Sequence, residues 1–147
     1  MQLRYDPERH HRHSIRLPRY DYSSDGLYFV TICCWQKECI LGEVTGDEVS
    51  LSDAGQIVEK CWLELPSRFA SVDAGIYVVM PNHMHGVLRI ANDGEDCPAL
   101  GSIIRAYKSL SAIAINRVLG RSERPVWQRN YYEHIIQDEK SLESIHR

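Results

Sequence analysis

The chain has 147 residues, 44% of them hydrophobic and 25% charged, which suits one domain with a buried core and excludes a disordered chain. No apolar run approaches the roughly 18–20 residues that span a bilayer, and the N-terminal sequence lacks the apolar stretch of a secretory signal. The five cysteines are odd in number and include no Cys-x-x-Cys pair, which argues against a disulfide framework or a zinc ribbon. We therefore expect a soluble, cytoplasmic protein with reduced thiols and no membrane partner.

Charge is unevenly distributed along the chain, although the net charge is only −3. Residues 1–20 carry five arginines against two acidic residues, and residues 99–131 carry six basic residues against Glu123. The intervening residues 21–98 are strongly acidic. Two basic segments can form one positive face that attracts nucleic-acid phosphates, whereas ordinary solvated charge is the simpler explanation of the counts.

The first predicted elements are a strand and a helix. Tyr28–Cys34 is rich in β-branched and aromatic residues, which predicts a strand. Ser52 can cap a helix that Pro66 stops. The apolar residues of that helix recur at helical spacing: Ile57, Val58, Cys61, Trp62 and Leu65.

Two further strands, a long helix and a last strand follow. Ile76–Met80 and His83–Ile90 predict strands joined by a turn at Pro81 and Asn82. The next apolar stripe predicts a helix that ends at Gly120: Leu100, Ile103, Tyr107, Leu110, Ala114 and Val118. Val126–Ile136 predicts a strand.

A final helix capped by Asp138 is also predicted. The fold class is therefore α+β, a ferredoxin-like split βαββαβ antiparallel sheet with helices on one face plus a C-terminal helix. That architecture serves many unrelated functions, so the function has to come from the site residues.

The sharpest local feature is MPNHMHGVL, residues 80–88. His83 and His85 are two apart on a predicted strand and therefore project from one face, while Met84 and Leu88 face the core. Two imidazoles on one face can bind a divalent metal if another element brings a third ligand. Two surface histidines on a half-exposed strand are the alternative.

Two clusters near the C-terminal half each allow two interpretations. A solvated helix face and a phosphate-binding face explain three polar residues of the long helix equally well: Arg105, Lys108 and Asn116. Aromatic residues interleaved with Arg129 and Asn130 can stack on the bases of a single strand, although such residues more often belong to the core. They are Trp127, Tyr131 and Tyr132.

Four stretches, in this order, resemble the single-tyrosine HUH transposases, and in particular the REP-associated tyrosine transposases. They are HSIRLPRYDYSSDGLYFVTICCWQKECILGEV, VVMPNHMHGVL, SIIRAYKSL and VWQRNYYEHIIQDEKSLESIHR. The resemblance extends from His13 to Arg147 and implies the ferredoxin-like fold already predicted. It also implies metal-assisted nicking and joining of single-stranded DNA, often next to a hairpin.

The resemblance assigns roles to particular residues. His83 and His85 would bind Mg²⁺ or Mn²⁺, which polarises the scissile phosphate, and a tyrosine would form a 5′-phosphotyrosine intermediate. The candidate DNA-binding residues are Arg12, Arg16, Arg105, Lys108, Arg129 and Asn130.

The nucleophile is expected immediately after Arg147, and the family's third metal ligand, Asn or Gln, one helical turn further on. On this interpretation residues 1–25 form a basic N-terminal arm, and residues 26–147 form a HUH transposase-like domain truncated in its last helix. The main alternative is a truncated or domesticated protein that recognises hairpin DNA without cutting it. A homodimer is open for either, and an RNA-binding module would need aromatic residues on both central strands.

Overall fold

A computed structural model describes residues 26–91 and 98–136. The strands are β1 Gly26–Cys33, β2 Gly42–Thr45, β3 Glu48–Leu51, β4 Val72–Met80, β5 His83–Ile90 and β6 Tyr132–Ile136. The helices are α1 Asp53–Leu63, α2 Leu65–Arg68 and α3 Leu100–Val118, with a 3-10 turn at Trp35–Lys37. The predicted N-terminal arm and the helix predicted at Asp138 lie outside the described residues. Within the described ranges, no helix is both long and apolar enough to cross a membrane.

The main sheet is antiparallel, with strand order β4-β5-β1-β6. This is the order of a ferredoxin-like βαββαβ unit, so the predicted fold class is confirmed. Strand β1 pairs with β5 without a break from Gly26 opposite Ile90 to Cys33 opposite His83. Alternate β1 side chains enter the core with no exposed surface: Tyr28, Val30 and Ile32.

Helix α1 begins where the sequence predicts it. The Ser52 hydroxyl accepts a hydrogen bond from the Gly55 amide at 3.1 Å and donates to the Ile40 carbonyl at 2.6 Å. The predicted stop at Pro66 is wrong in detail, since α1 ends at Leu63 and Pro66 lies in the first turn of α2. Proline fits there because first-turn amides need no intrahelical acceptor.

Helix α3 ends as predicted, but its buried stripe is rotated from the predicted one. Gly120 takes a φ of 66°, and the Arg121 amide donates to the Asn116 carbonyl at 2.8 Å, which closes the helix end. Val118 is 50% exposed, whereas Ser111 and Asn116 are buried. Hydrogen bonds to neighbouring groups make these polar side chains tolerable in the core, and the apolar pattern alone does not show them.

Two strand predictions need correction, and one hairpin was not predicted. The strand predicted at Val126–Ile136 pairs regularly only over Tyr132–Ile136, and the strand predicted at Ile76–Met80 begins earlier, at Val72. A bulge between Ala74 and Tyr77 interrupts the alternation there. The β2–β3 hairpin is an additional element whose residues are mostly exposed, so it carries little apolar pattern.

Candidate metal and nucleic-acid site

The histidine pair follows a tight connection between β4 and β5. The backbone carbonyl of Pro81 accepts from the Leu41 amide at 3.0 Å, and the carbonyl of Asn82 accepts from the Cys34 amide at 2.9 Å. These bonds tie the connection to the chain that leaves β1. The start of β5, and with it His83, is therefore held at a defined place beside β1.

His83 and His85 lie on the same side of the sheet, as predicted. Their ring centroids are 5.6 Å apart, and both side chains are partly buried. Met84 between them has no exposed surface and packs in the core. The strand alternation therefore anchors β5 on one side and presents two imidazoles on the other.

The electrostatic environment favours neutral imidazoles. Burial lowers the pKa of His83, and burial together with the charge of His83 lowers the pKa of His85. Nδ1 of His83 lies 2.8 Å from Oδ1 of Asn82, and a protonated Nδ1 donates this bond. The lone pair of His83 is then on Nε2, the arrangement that second-shell hydrogen bonds produce in metal-binding histidines.

The strand next to β5 supplies the other side chains around the pair. In register, Cys33 lies opposite His83, Thr31 opposite His85, and Phe29 opposite Val87. The Phe29 and His85 rings are 5.5 Å apart. We call this side of the sheet the histidine face (Phe29, Thr31, Cys33, His83 and His85); the described helices pack against the other side.

Positive charge lies near one end of the histidine face. Burial raises the pKa of the Cys33 thiol, and the charges of Lys37 and Lys108 partly oppose that rise. No group of three or more His, Cys, Asp or Glu side chains within residues 26–91 and 98–136 could hold a metal ion. In that part of the chain the two imidazoles therefore have no third side chain of these types grouped with them.

The candidate DNA-binding residues fall into three situations. Arg105 and Arg129 are exposed, and Asn130 is half-buried. The Lys108 ammonium instead donates to the backbone carbonyls of Gln128 at 2.6 Å, Arg129 at 3.0 Å and Asn130 at 3.4 Å. Arg12 and Arg16 lie outside the described residues.

The aromatic cluster is mainly core. Trp127 is 6% exposed and Tyr131 is 5% exposed, so the core interpretation is correct for both. Tyr132 lies opposite Thr31 in register and therefore shares its side of the sheet. Sequence reasoning did not single out Phe29 as a site residue or Asn82 as a partner of His83. The available signals were the alternation along β1 and the position of an amide side chain immediately before His-x-His.

The comparisons agree with this architecture. No family model matches the sequence. An uncharacterized protein of Haemophilus influenzae is 39% identical over 165 aligned residues, which cover 99% of this chain and 90% of that protein. A REP-associated tyrosine transposase bound to a REP hairpin has a similar structure, with TM-score 0.60 and 19% identity over 87% of this chain. This chain spans 66% of that transposase's length.

A candidate transposase from Deinococcus radiodurans is similar in structure as well. Its TM-score is 0.58 at 11% identity, and the match covers 87% of this chain and 90% of that one. Identities this low establish the fold, whereas the Haemophilus match establishes kinship. The chain thus belongs to the same family as the Haemophilus influenzae protein, and it has a transposase-like fold.

Proposed function

We propose that this chain nicks and joins single-stranded DNA by transposase chemistry, with His83 and His85 binding Mg²⁺ or Mn²⁺ at the scissile phosphate. The observation that carries the proposal is the pair of partly buried imidazoles, 5.6 Å apart, on the histidine face. The transposase-like fold supports it. Because the REP-associated relative is bound to a REP hairpin, a single strand flanked by a hairpin is the first DNA to test.

The donor set fits a divalent transition metal. Both imidazoles have lowered pKa values, through burial first, so they offer lone pairs rather than protons at neutral pH. Two nitrogen ligands leave several coordination positions for phosphate oxygens and water. When bound, the cation offsets negative charge on the phosphate oxygens. Since Mn²⁺ is at the weak end of the divalent series, we expect DNA to strengthen its binding.

The protein's own groups have distinct tasks in this scheme. Asn82 orients His83, and the buried Met84 fixes the strand between the two histidines. A tyrosine hydroxyl oxygen attacks the phosphorus and loses its proton, the bond from phosphorus to the 3′ oxygen breaks, and that oxygen takes up a proton. The product is a phosphotyrosine that conserves the bond energy for the reverse, joining step.

From the resemblance we expect that tyrosine directly after Arg147 rather than among the described residues. Among the described tyrosines, Tyr28, Tyr107 and Tyr131 are buried, and the Tyr77 hydroxyl donates to Glu59 of α1 at 2.8 Å. Tyr132 shares the side of the sheet that carries His85, but Thr31 of β1 lies between their strands. Two strand spacings separate Tyr132 from His85, about 10 Å along the sheet. We therefore treat Tyr132 as the residue that the assay has to exclude.

The metal site is tested by electron paramagnetic resonance of Mn²⁺ with hairpin-bearing single-stranded DNA. His83→Ala and His85→Ala each leave one imidazole, so we expect both to lose bound Mn²⁺. Glu48→Ala, which removes an exposed carboxylate from the β2–β3 hairpin, is the control and should retain Mn²⁺. Undiminished Mn²⁺ binding in both site variants would refute the assignment.

Catalysis is tested with labelled DNA on the 147-residue chain and on a version extended beyond Arg147, by searching for a protein–DNA adduct that survives denaturation. An adduct that requires Mn²⁺ and both histidines supports the proposal. If it also disappears in Tyr132→Phe, the nucleophile is Tyr132 rather than a residue after Arg147. Metal-dependent DNA binding with no adduct favours the alternative, a DNA-binding protein that recognises hairpins without cutting.

A further inference from the structure

A continuous series of rings lies on the histidine face. The His83 and His85 centroids are 5.6 Å apart, and the His85 and Phe29 centroids are 5.5 Å apart with the planes inclined by 35°. Phe29 belongs to β1 and His85 to β5, the two central strands of the sheet. The series therefore runs across the middle of the sheet.

Phe29 lies on the side of the sheet away from the core, so core packing does not explain an aromatic residue at this position. Its neighbours Tyr28 and Val30 have no exposed surface and fill the core, whereas Phe29 points to the opposite side and is partly exposed. Directly opposite Phe29 on β6 is His134, and opposite Thr31 is Tyr132, so the edge strand adds further rings to the same side. Aromatic side chains that stand together on one side of a sheet are groups on which unpaired bases can stack.

We propose that Phe29 is a stacking site for an unpaired base of the DNA strand whose phosphate meets His83 and His85. The inference rests on the proposed function and deepens it by assigning a base-binding residue beside the metal pair. Phe29 is one ring spacing from His85, within reach of the nucleotide that carries the phosphate or of its neighbour. Lys37 and Lys108 act on Cys33, which lies opposite His83 at the far end of the face from Phe29, so this positive charge favours the phosphates of the strand rather than the stacked base.

Stacking on a phenyl ring depends little on base identity, because every base presents a π face. Phe29 should therefore contribute affinity and position the strand, and leave sequence recognition to other groups. This differs from the metal pair, whose removal should abolish Mn²⁺ binding. Loss of Phe29 should weaken DNA binding while Mn²⁺ binding to the protein alone persists.

The test measures the affinity of the 147-residue chain for a hairpin-bearing single strand at fixed salt, with Mn²⁺ present. Phe29→Leu keeps an apolar side chain of strand-compatible size but removes the ring, and Phe29→Trp keeps a ring. We expect Phe29→Leu to bind about 5- to 150-fold more weakly, the range for loss of one base–aromatic stack, and Phe29→Trp to bind nearly as well as the wild type. Ile113→Ala, an exposed apolar residue on α3, is the control and should not change affinity.

An abasic scan then identifies the base. Each unpaired nucleotide is replaced in turn by an abasic one, and affinities are compared between the wild type and Phe29→Leu. At one position the abasic nucleotide should weaken DNA binding by the wild type but hardly change DNA binding by Phe29→Leu, since both changes remove the same contact. Finding that position supports the proposal even if Phe29→Leu is somewhat destabilised, because the comparison is made within each folded protein.

The remaining outcomes separate the two proposals. Equal affinities for the wild type, Phe29→Leu and Phe29→Trp, with no abasic position that couples, overturn the stacking site and leave the transposase proposal standing. A wild type that binds no single-stranded DNA overturns both. Tighter binding to RNA of the same sequence also overturns the assignment to DNA.

Discussion

The buried hydrogen bond between Trp127 and Ser111 gives the sharpest stability prediction. Nε1 of Trp127 donates to Oγ of Ser111 at 2.9 Å, and that hydroxyl donates to the Tyr107 carbonyl at 2.7 Å. Ser111 has no exposed surface and Trp127 is 6% exposed. This short chain of bonds fastens the segment before β6 to the middle of α3.

Ser111→Ala leaves the indole N–H of Trp127 buried without its acceptor. An unsatisfied buried donor costs about 1–3 kcal/mol, and the higher helix propensity of alanine stabilises the helix by about 0.5 kcal/mol. We therefore expect a net loss of about 0.5–2.5 kcal/mol in the free energy of unfolding. Ser109→Ala, an exposed serine in the same helix, receives only the propensity gain and is the matched control.

The measurement is urea denaturation of Ser111→Ala, Ser109→Ala and Trp127→Phe, and of the double variant that combines Ser111→Ala with Trp127→Phe. If one hydrogen bond links the two side chains, the double variant should be more stable than the two single losses predict, by about 1 kcal/mol. The denaturant slope should remain unchanged, since each substitution is small. A Ser111→Ala protein as stable as Ser109→Ala would refute the reasoning.

Three further predictions use the same unfolding assay. Gly86→Ala would place a Cβ 2.7 Å from Cζ2 of Trp62, so we expect the free energy of unfolding to fall by about 1–3 kcal/mol. Mn²⁺ binding at the adjacent His85 should weaken as well. Unchanged stability and Mn²⁺ binding would show that β5 shifts freely. Burial lowers the pKa of Lys108 from 10.5 to about 8, so between these pH values the unfolded chain binds more protons and the stability of the wild type relative to Lys108→Met should rise with pH. A flat difference across that window would contradict this assignment. Ser52→Ala removes the acceptor at the start of α1 and should cost about 1 kcal/mol, and no loss would mean that water replaces the cap.

The sequence predicts the parts of this fold that depend on local pattern. The strand His83–Ile90 has the predicted bounds because its core-facing residues alternate and Pro81 with Asn82 marks its start. The start of α1 and the end of α3 follow from a serine cap and a glycine at positive φ. The pairing of His83 with His85 follows from the two-residue period of a strand.

The segment before β6 could not be predicted in the same way. Its apolar and aromatic residues have strand composition, but the carbonyls of Gln128, Arg129 and Asn130 accept from the Lys108 amine, twenty or more positions earlier in the chain. A contact of that separation leaves no periodic trace in the sequence. For the same reason the sequence indicates Lys108 as a basic residue but does not show that backbone carbonyls bind its ammonium.

The position of the candidate site is fixed by the core rather than by the site itself. Strands β1 and β5 pair without interruption over eight positions, from Gly26 opposite Ile90 to Cys33 opposite His83. A slip of one residue would turn Met84 and Leu88 out of the core and turn the two histidines into it. Losing one such buried apolar side chain already costs about 1.5–3 kcal/mol, so the register is strongly specified. The hydrophobic patterns of β5 and β1 therefore hold both imidazoles and Phe29 on one side of the sheet, the side on which we propose that DNA binds.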